Sequence, residues 1–224
     1  MLQKTGGIVF RYIRFKETSI ITTILTQFYG IQSFIVNGVR SKKPKFSIAL
    51  FQPLTLLEMV VYHKETSNLQ RISEVRCANQ YRSIPYNFKK SGIALFLSEM
   101  LYKVIRHESH PKEVFEFITT SLLSLDNLDE QFENFHLQFL LKLTRYLGFY
   151  PQTATELEEQ LLHGDTILGK EIDFLLNNGY SDYITITNEQ RRMLLENIID
   201  FYRIHIEGIG KIHSYKILHE AIRH

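Results

Sequence analysis

The sequence predicts an α+β protein in two parts: an N-terminal five-stranded OB-fold β-barrel over residues 1–80, then an α-helical domain over residues 81–224. Three observations predict it. The first eighty residues run through alternating stretches of β-branched and aromatic side chains, which suit a pleated, half-buried surface. From about Tyr81 the apolar spacing changes to the three-and-four period of helices. The charge changes at the same place. Residues 1–80 carry eleven Lys/Arg against four Asp/Glu, a net +7, and the remainder carries fifteen against twenty, a net −5.

Five strand candidates follow in order. Ile8 to Phe15 alternates, with Arg11 and Arg14 among apolar and aromatic neighbours, and Thr18 to Phe28 is almost wholly β-branched or apolar. Tyr29-Gly30 marks a turn, Ile31 to Val36 resumes the strand pattern, and Asn37-Gly38 closes it. Leu54 to Tyr62 and Leu69 to Ala78 complete the set, joined by the polar run 64–68. Between the third and fourth strands lies the basic connection Arg40-Ser41-Lys42-Lys43-Pro44-Lys45. Five short strands with a longer connection after the third match an OB-type barrel, where that break often holds a helix.

Ile84-Pro85 marks the boundary, because a residue before proline is pushed out of helical geometry. Ile93, Leu95, Phe96, Leu97, Met100, Leu101, Val104 and Ile105 form a broad helical face, and a second helix opens at His110-Pro111. A third runs from about Gln131 to Leu147, with Gly148 as its C-terminal cap. Thr187 and Gln190 form a capping box that opens a long helix ending at Gly208 and Gly210, and a short terminal helix follows from His213. Residues 151–187 are the least regular part.

Composition narrows the class. With 44% hydrophobic and 22% charged residues the chain suits a folded protein. No apolar run approaches the roughly 20 residues that cross a bilayer, and the first residues lack the apolar core of a signal peptide. A soluble intracellular protein, cytoplasmic, is the expectation. The single cysteine, Cys77, excludes an intramolecular disulfide and a multi-thiolate zinc site, and is expected to be a small buried hydrophobe.

No catalytic motif is present, and neither an enzyme nor a cofactor is expected. There is no phosphate-binding glycine loop; Gly208-Ile209-Gly210 reads as a helix end. Glu156, Glu158 and Glu159 read as a solvated helix face. His205, His213, His219 and His224 are spaced by eight, six and five, which places few of them on one helical face. Nucleic-acid binding fares better. A small barrel offers a sheet face for base stacking and Lys/Arg for phosphates. The DNA-contact candidates are Arg11, Arg14, Arg40, Lys42, Lys43 and Lys45. Tyr12 and Phe15 are three apart on one strand, so at least one belongs to the core. In the helical part Lys89, Lys90, Lys142 and Arg145 stand near Phe88, Tyr146, Phe149 and Tyr150, a pairing that suits an acidic peptide with an aromatic end.

The ordered motifs Lys4-Thr5-Gly6-Gly7-Ile8-Val9-Phe10-Arg11, Glu17-Thr18-Ser19-Ile20-Ile21, Tyr29-Gly30-Ile31-Gln32-Ser33, Gly38-Val39-Arg40-Ser41-Lys42 and Gln52-Pro53-Leu54-Thr55-Leu56-Leu57-Glu58 resemble the N-terminal domain of the bacterial RecO family. Leu140-Leu141-Lys142-Leu143-Thr144-Arg145-Tyr146-Leu147-Gly148-Phe149 resembles the central helix of that family's second domain. The resemblance implies a recombination mediator in DNA repair that binds single- and double-stranded DNA and anneals complementary strands. It implies as partners the acidic C-terminal tail of the single-stranded DNA-binding protein, RecR and, indirectly, RecA, with no membrane. Many members carry a four-cysteine zinc module soon after the Leu-Gly-Phe motif. Residues 151–187 here hold no cysteine, so the resemblance implies a zinc-free or remodelled module. Two other readings compete: a protein-interaction scaffold whose barrel contacts acidic proteins, and a metal-dependent hydrolase.

Overall fold

The computed structural model describes residues 1–64, 66–105, 111–161 and 168–223. Two compact units divide the chain, one of Met1–Tyr81 with Ser98–Thr120, the other of Arg82–Leu97 with Ser121–His224.

The first unit is built on a closed five-stranded barrel: β1 (Leu2–Phe15), β2 (Ser19–Thr26), β3 (Gly30–Val36), β4 (Leu56–Tyr62) and β5 (Gln70–Cys77). The strand order is β1-β2-β3-β5-β4, with β4 returning to β1. The length of β1 is what permits closure. Its first half pairs with β4, from Leu2 opposite Tyr62 to Ile8 opposite Leu56, and its second half pairs with β2. A bulge between Val9 and Arg11 bends the strand between the two partners. β3 and β5 pair in parallel at Phe34–Gln70 and Ile35–Arg71.

Val9, Ile24, Phe34, Leu57, Met59 and Val61 fill the barrel interior. A second layer of Ile20, Val36, Val39 and Phe51 lies with Tyr12, Phe46 and Ile48 against it. Gly7 is placed by this packing: a Cβ there would lie 2.5 Å from Met59 Cε and 2.9 Å from Ile24 Cγ2. The strand therefore starts at Leu2, six residues before the alternation becomes visible, because Gly6 and Gly7 interrupt the pattern. Gly6 serves the outer side, where the Phe115 ring occupies the space a Cβ would take, 2.6 Å from Phe115 Cζ. Ile8 and Phe10 are also buried, and Ser98 Oγ donates to the Phe10 carbonyl. The break after β3 holds a single 3-10 turn, Ile48–Phe51, capped by Ser47.

Among the described residues seven helices follow: α1 (Phe88–Val104), α2 (Pro111–Asn127), α3 (Phe135–Leu147), α4 (Ala154–Gln160), α5 (Gly169–Asn177), α6 (Asn188–His205) and α7 (Tyr215–Ile222). In the second unit α3 is the buried centre; Leu137, Phe139, Leu140, Leu141 and Leu143 are wholly enclosed. Tyr202 of α6 reaches it with its hydroxyl, donating to the Leu140 carbonyl at 2.7 Å. Gly148 caps α3 at φ 87°, where a side chain would be strained. The capping box at Thr187 and Gln190 forms with both reciprocal bonds. α4 and α5 lie inside the irregular stretch 151–187. His110, read as the residue that opens α2, lies outside the described residues.

Candidate nucleic-acid interface

The basic side chains of the barrel are placed by strand register and one anchored connection. On β1, Arg11 pairs with Thr23 and Arg14 with Ile20, and these two arginines lie on opposite faces of the strand. Arg11 is held outward with its guanidinium 3.9 Å from the centre of the Tyr102 ring. Tyr12 packs on the interior cluster, while Phe15 is half-buried with the Lys16 ammonium 5.5 Å from its ring.

The connection 37–47 is pinned at three points. Arg40 N–H donates to the Thr18 carbonyl at 2.9 Å, tying the loop to the β1–β2 turn. Val39 is buried with Ile20, Val36 and Phe51. Lys45 Nζ donates to the Ser73 carbonyl of β5 at 2.9 Å and stands 4.9 Å from the Phe46 ring. Between these pins Arg40, Lys42 and Lys43 are exposed. None of Arg11, Arg14, Arg40, Lys42, Lys43 and Lys45 forms an ion pair with a described carboxylate. Such a set presents uncompensated positive charge on a rigid frame, the arrangement that neutralises phosphates. Lys16 joins it from the β1–β2 turn at φ 51°. Neither Lys16 nor Tyr102 was singled out by sequence, since strand register and helix packing place them.

A groove of about 800 Å³ opens elsewhere on the first unit, lined among others by Lys4, Phe28, Val60, Arg76 and Phe115. Its charges are balanced: Glu58 and Glu74 also line it, and Arg76 is paired with Glu58.

The four peptide-contact candidates separate into two kinds. Lys89 pairs with Glu133 at 3.6 Å, and Arg145 is exposed with its guanidinium 4.5 Å from the Tyr150 ring. Lys90 and Lys142 turn inward. Lys90 is 1% exposed; its ammonium donates to Ser83 Oγ at 2.6 Å and to the Asp126 carbonyl at 3.3 Å. Burial lowers its pKa against the pull of Asp126. The Asp126 carboxylate accepts N–H bonds from Arg82, Ser83 and Ile84. Burial acts to raise its pKa, yet these bonds hold it below the usual carboxylate range. Lys142 donates to the Asn178 carbonyl, and burial, then the Arg145 charge, lower its pKa.

The histidines also have defined places. His205 stacks on Phe149 at 4.4 Å and meets Gln160 Oε1 at 2.8 Å. His219 packs edge-on against Tyr215, His213 is exposed, and His224 lies outside the described residues. Among the described residues no three His, Cys, Asp or Glu side chains gather as metal ligands. Cys77 corrects an expectation. It ends β5 exposed rather than buried, its thiol donating to the Asn79 carbonyl, because the strand's last residue lies beyond the core layers. No helix among the described residues is long and apolar enough to cross a membrane.

Comparison with known proteins agrees with this architecture. Residues 1–81 match the family described as "Recombination protein O N terminal", and residues 85–159 match "Recombination protein O C terminal". The chain is 34% identical to the DNA repair protein RecO of Phocaeicola vulgatus and 36% identical to that of Bacteroides fragilis, in each case over 98% of this chain and 99% of the relative. It is 36% identical to the RecO of Flavobacterium psychrophilum over 97% of this chain and 98% of the relative. With an OB-type barrel, a helical region and full-length similarity of this order, the chain belongs to the RecO family of DNA repair proteins.

Proposed function

We propose that this chain is a non-catalytic recombination mediator that binds single- and double-stranded DNA on its basic barrel, anneals complementary strands, and assists RecA loading together with RecR. The observation that carries the reading is the pinned connection 37–47, with Arg40, Lys42 and Lys43 exposed and in no ion pair with a described carboxylate, on the same barrel as Arg11 and Arg14. Annealing has a simple physical account on such a surface. Neutralising two phosphate backbones lowers their mutual repulsion and raises local strand concentration, while base pairing supplies the free energy. No nucleotide is needed. The proposed place of this work is the cytoplasm, at the nucleoid.

The acidic tail of the single-stranded DNA-binding protein is the proposed peptide partner of the helical unit. Arg145 and Lys89 are the proposed charge contacts; Lys90 and Lys142 support them from within.

A salt titration tests the DNA reading. Replacing Arg40, Lys42, Lys43 and Lys45 by alanine should flatten the slope of log affinity against log salt by about 0.7 per lost single-strand phosphate contact, or about 0.9 per duplex contact. An unchanged slope removes the loop from the interface. Failure of the unsubstituted chain to bind either DNA form favours the scaffold reading, in which the same cations face acidic proteins.

A further inference from the structure

Residues 151–187 are where the family resemblance places a zinc module, and the side chains described there do not fit one. The only cysteine, Cys77, lies in β5 of the other unit. Three carboxylates of the segment are committed to backbone N–H groups. Glu156 Oε2 accepts from Gln152 at 2.6 Å, Asp173 Oδ1 from Ala154 at 2.7 Å, and Asp182 Oδ2 from Gly179 at 2.7 Å. Three or four ligands would have to converge on one point, and the described residues offer no such group.

What holds the end of the segment, residues 178–187, is one stripe of side chains at α3. Asn134, Gln138 and Lys142 recur every four residues and so share a face. Gln138 Nε2 donates to the Asn178 carbonyl at 2.7 Å and the Gly179 carbonyl at 3.0 Å; Lys142 Nζ donates to Asn178 as well. Asn134 Nδ2 donates to the Ile184 carbonyl at 2.8 Å. Arg191 of α6 extends the row, donating to Asn134 Oδ1 and to the Ile186 carbonyl, both at 2.9 Å. Tyr180 enters the same row, with its hydroxyl 2.9 Å from Ser121 Oγ and its ring 4.5 Å from that of Phe135. Residues 178–187 belong to neither helix nor strand, so side chains must satisfy backbone carbonyls that no ladder serves.

We propose that this row performs the cross-linking that a structural metal performs elsewhere. The stretch 178–187 that follows α5 is then held without metal, and the protein keeps its structure under chelation and thiol oxidation. The inference concerns the helical unit and stands apart from the DNA-mediator reading. A structural metal supplies folding free energy directly, so a segment without one must draw that free energy from other contacts.

The test uses the purified full-length chain. Metal analysis should find no stoichiometric zinc, and thermal unfolding should be unchanged by EDTA. The double substitution Gln138→Leu/Lys142→Met keeps apolar bulk and leaves the Asn178 and Gly179 carbonyls without donors. It should lower Tm by roughly 3–6 °C and speed amide exchange in residues 176–186, with barrel amides unaffected. Should the double variant fail to fold, Gln138→Leu alone is read by the same exchange experiment. One equivalent of zinc with a Tm that falls on chelation overturns the proposal, as does unaltered exchange at 176–186 in the variant that folds.

Discussion

The backbone N–H of Arg40 donates to the Thr18 carbonyl at 2.9 Å, so the most cationic stretch of the chain is fixed to the turn that ends β1. The neighbouring Val39 is 3% exposed and supplies the apolar half of the same anchor. Val39→Ala should cost about 1–2 kcal/mol of stability. It should also weaken binding to a single-stranded oligonucleotide several-fold, although no charge is lost. The salt slope should stay near that of the unsubstituted chain, because the same cations remain. Fluorescence anisotropy at three salt concentrations checks this; unchanged affinity would mean that the loop's placement does not matter.

Gly7 makes a different kind of prediction, since its side faces the barrel interior. An added methyl would meet Met59 Cε and Ile24 Cγ2, and Ile24 has little freedom to move. Gly7→Ala should therefore destabilise by about 1–3 kcal/mol through overpacking. In urea the unfolding midpoint should fall with the slope unchanged. Pairing it with Met59→Val, which frees volume at the closest contact, should recover part of the loss. A double variant no better than the single one would place the strain elsewhere.

These two residues also show which parts of the fold were legible. The strands from Thr18 onward followed from β-branched runs, and the capping box at Thr187 followed from its spacing, because both are local signals. The start of β1 at Leu2 was hidden, since Gly6 and Gly7 are chosen for close approach to Phe115 and Met59 rather than for strand propensity. The same limit applies to function. The density of charge in residues 40–45 was visible, but the burial of Lys90 was not. Its partners, Ser83 before α1 and Asp126 in the last turn of α2, are far apart in sequence, and only folding brings them together.

Lys90 and Arg145 should separate structural from recognition roles. Lys90→Met removes the ammonium that bridges Ser83 and the Asp126 carbonyl. It should cost about 1–3 kcal/mol while peptide affinity at a temperature well below unfolding stays the same. Arg145→Glu acts on an exposed side chain, so stability should change by no more than about 0.5 kcal/mol. Affinity for an acidic, phenylalanine-ended peptide should fall at least several-fold. Calorimetric titration of both variants, alongside their melting curves, decides the matter. Peptide binding retained by Arg145→Glu would move the site off α3.

His136 should make the chain less stable in mild acid. It is completely enclosed on α3, its ring edge-on to Phe96, and neither nitrogen makes a full hydrogen bond. Burial first, then the Arg191 and His219 charges, push its pKa down to about 3. An unfolded histidine titrates near 6.5, so the unfolded chain takes up the proton first. The stabilising contribution is complete above pH 6.5 and is lost as pH falls from 6.5 towards 3. The loss is about 1.4 kcal/mol per unit, or about 2 kcal/mol by pH 5. His219, whose pKa burial also lowers, acts in the same direction. His136→Leu has no proton to take up and removes two poorly satisfied nitrogens. It should match or exceed the unsubstituted chain at pH 7.5 and lose less between pH 7.5 and pH 5.0, keeping the share that His219 contributes. Urea midpoints at those two pH values measure the difference, and equal losses in both proteins would exclude His136 as the source.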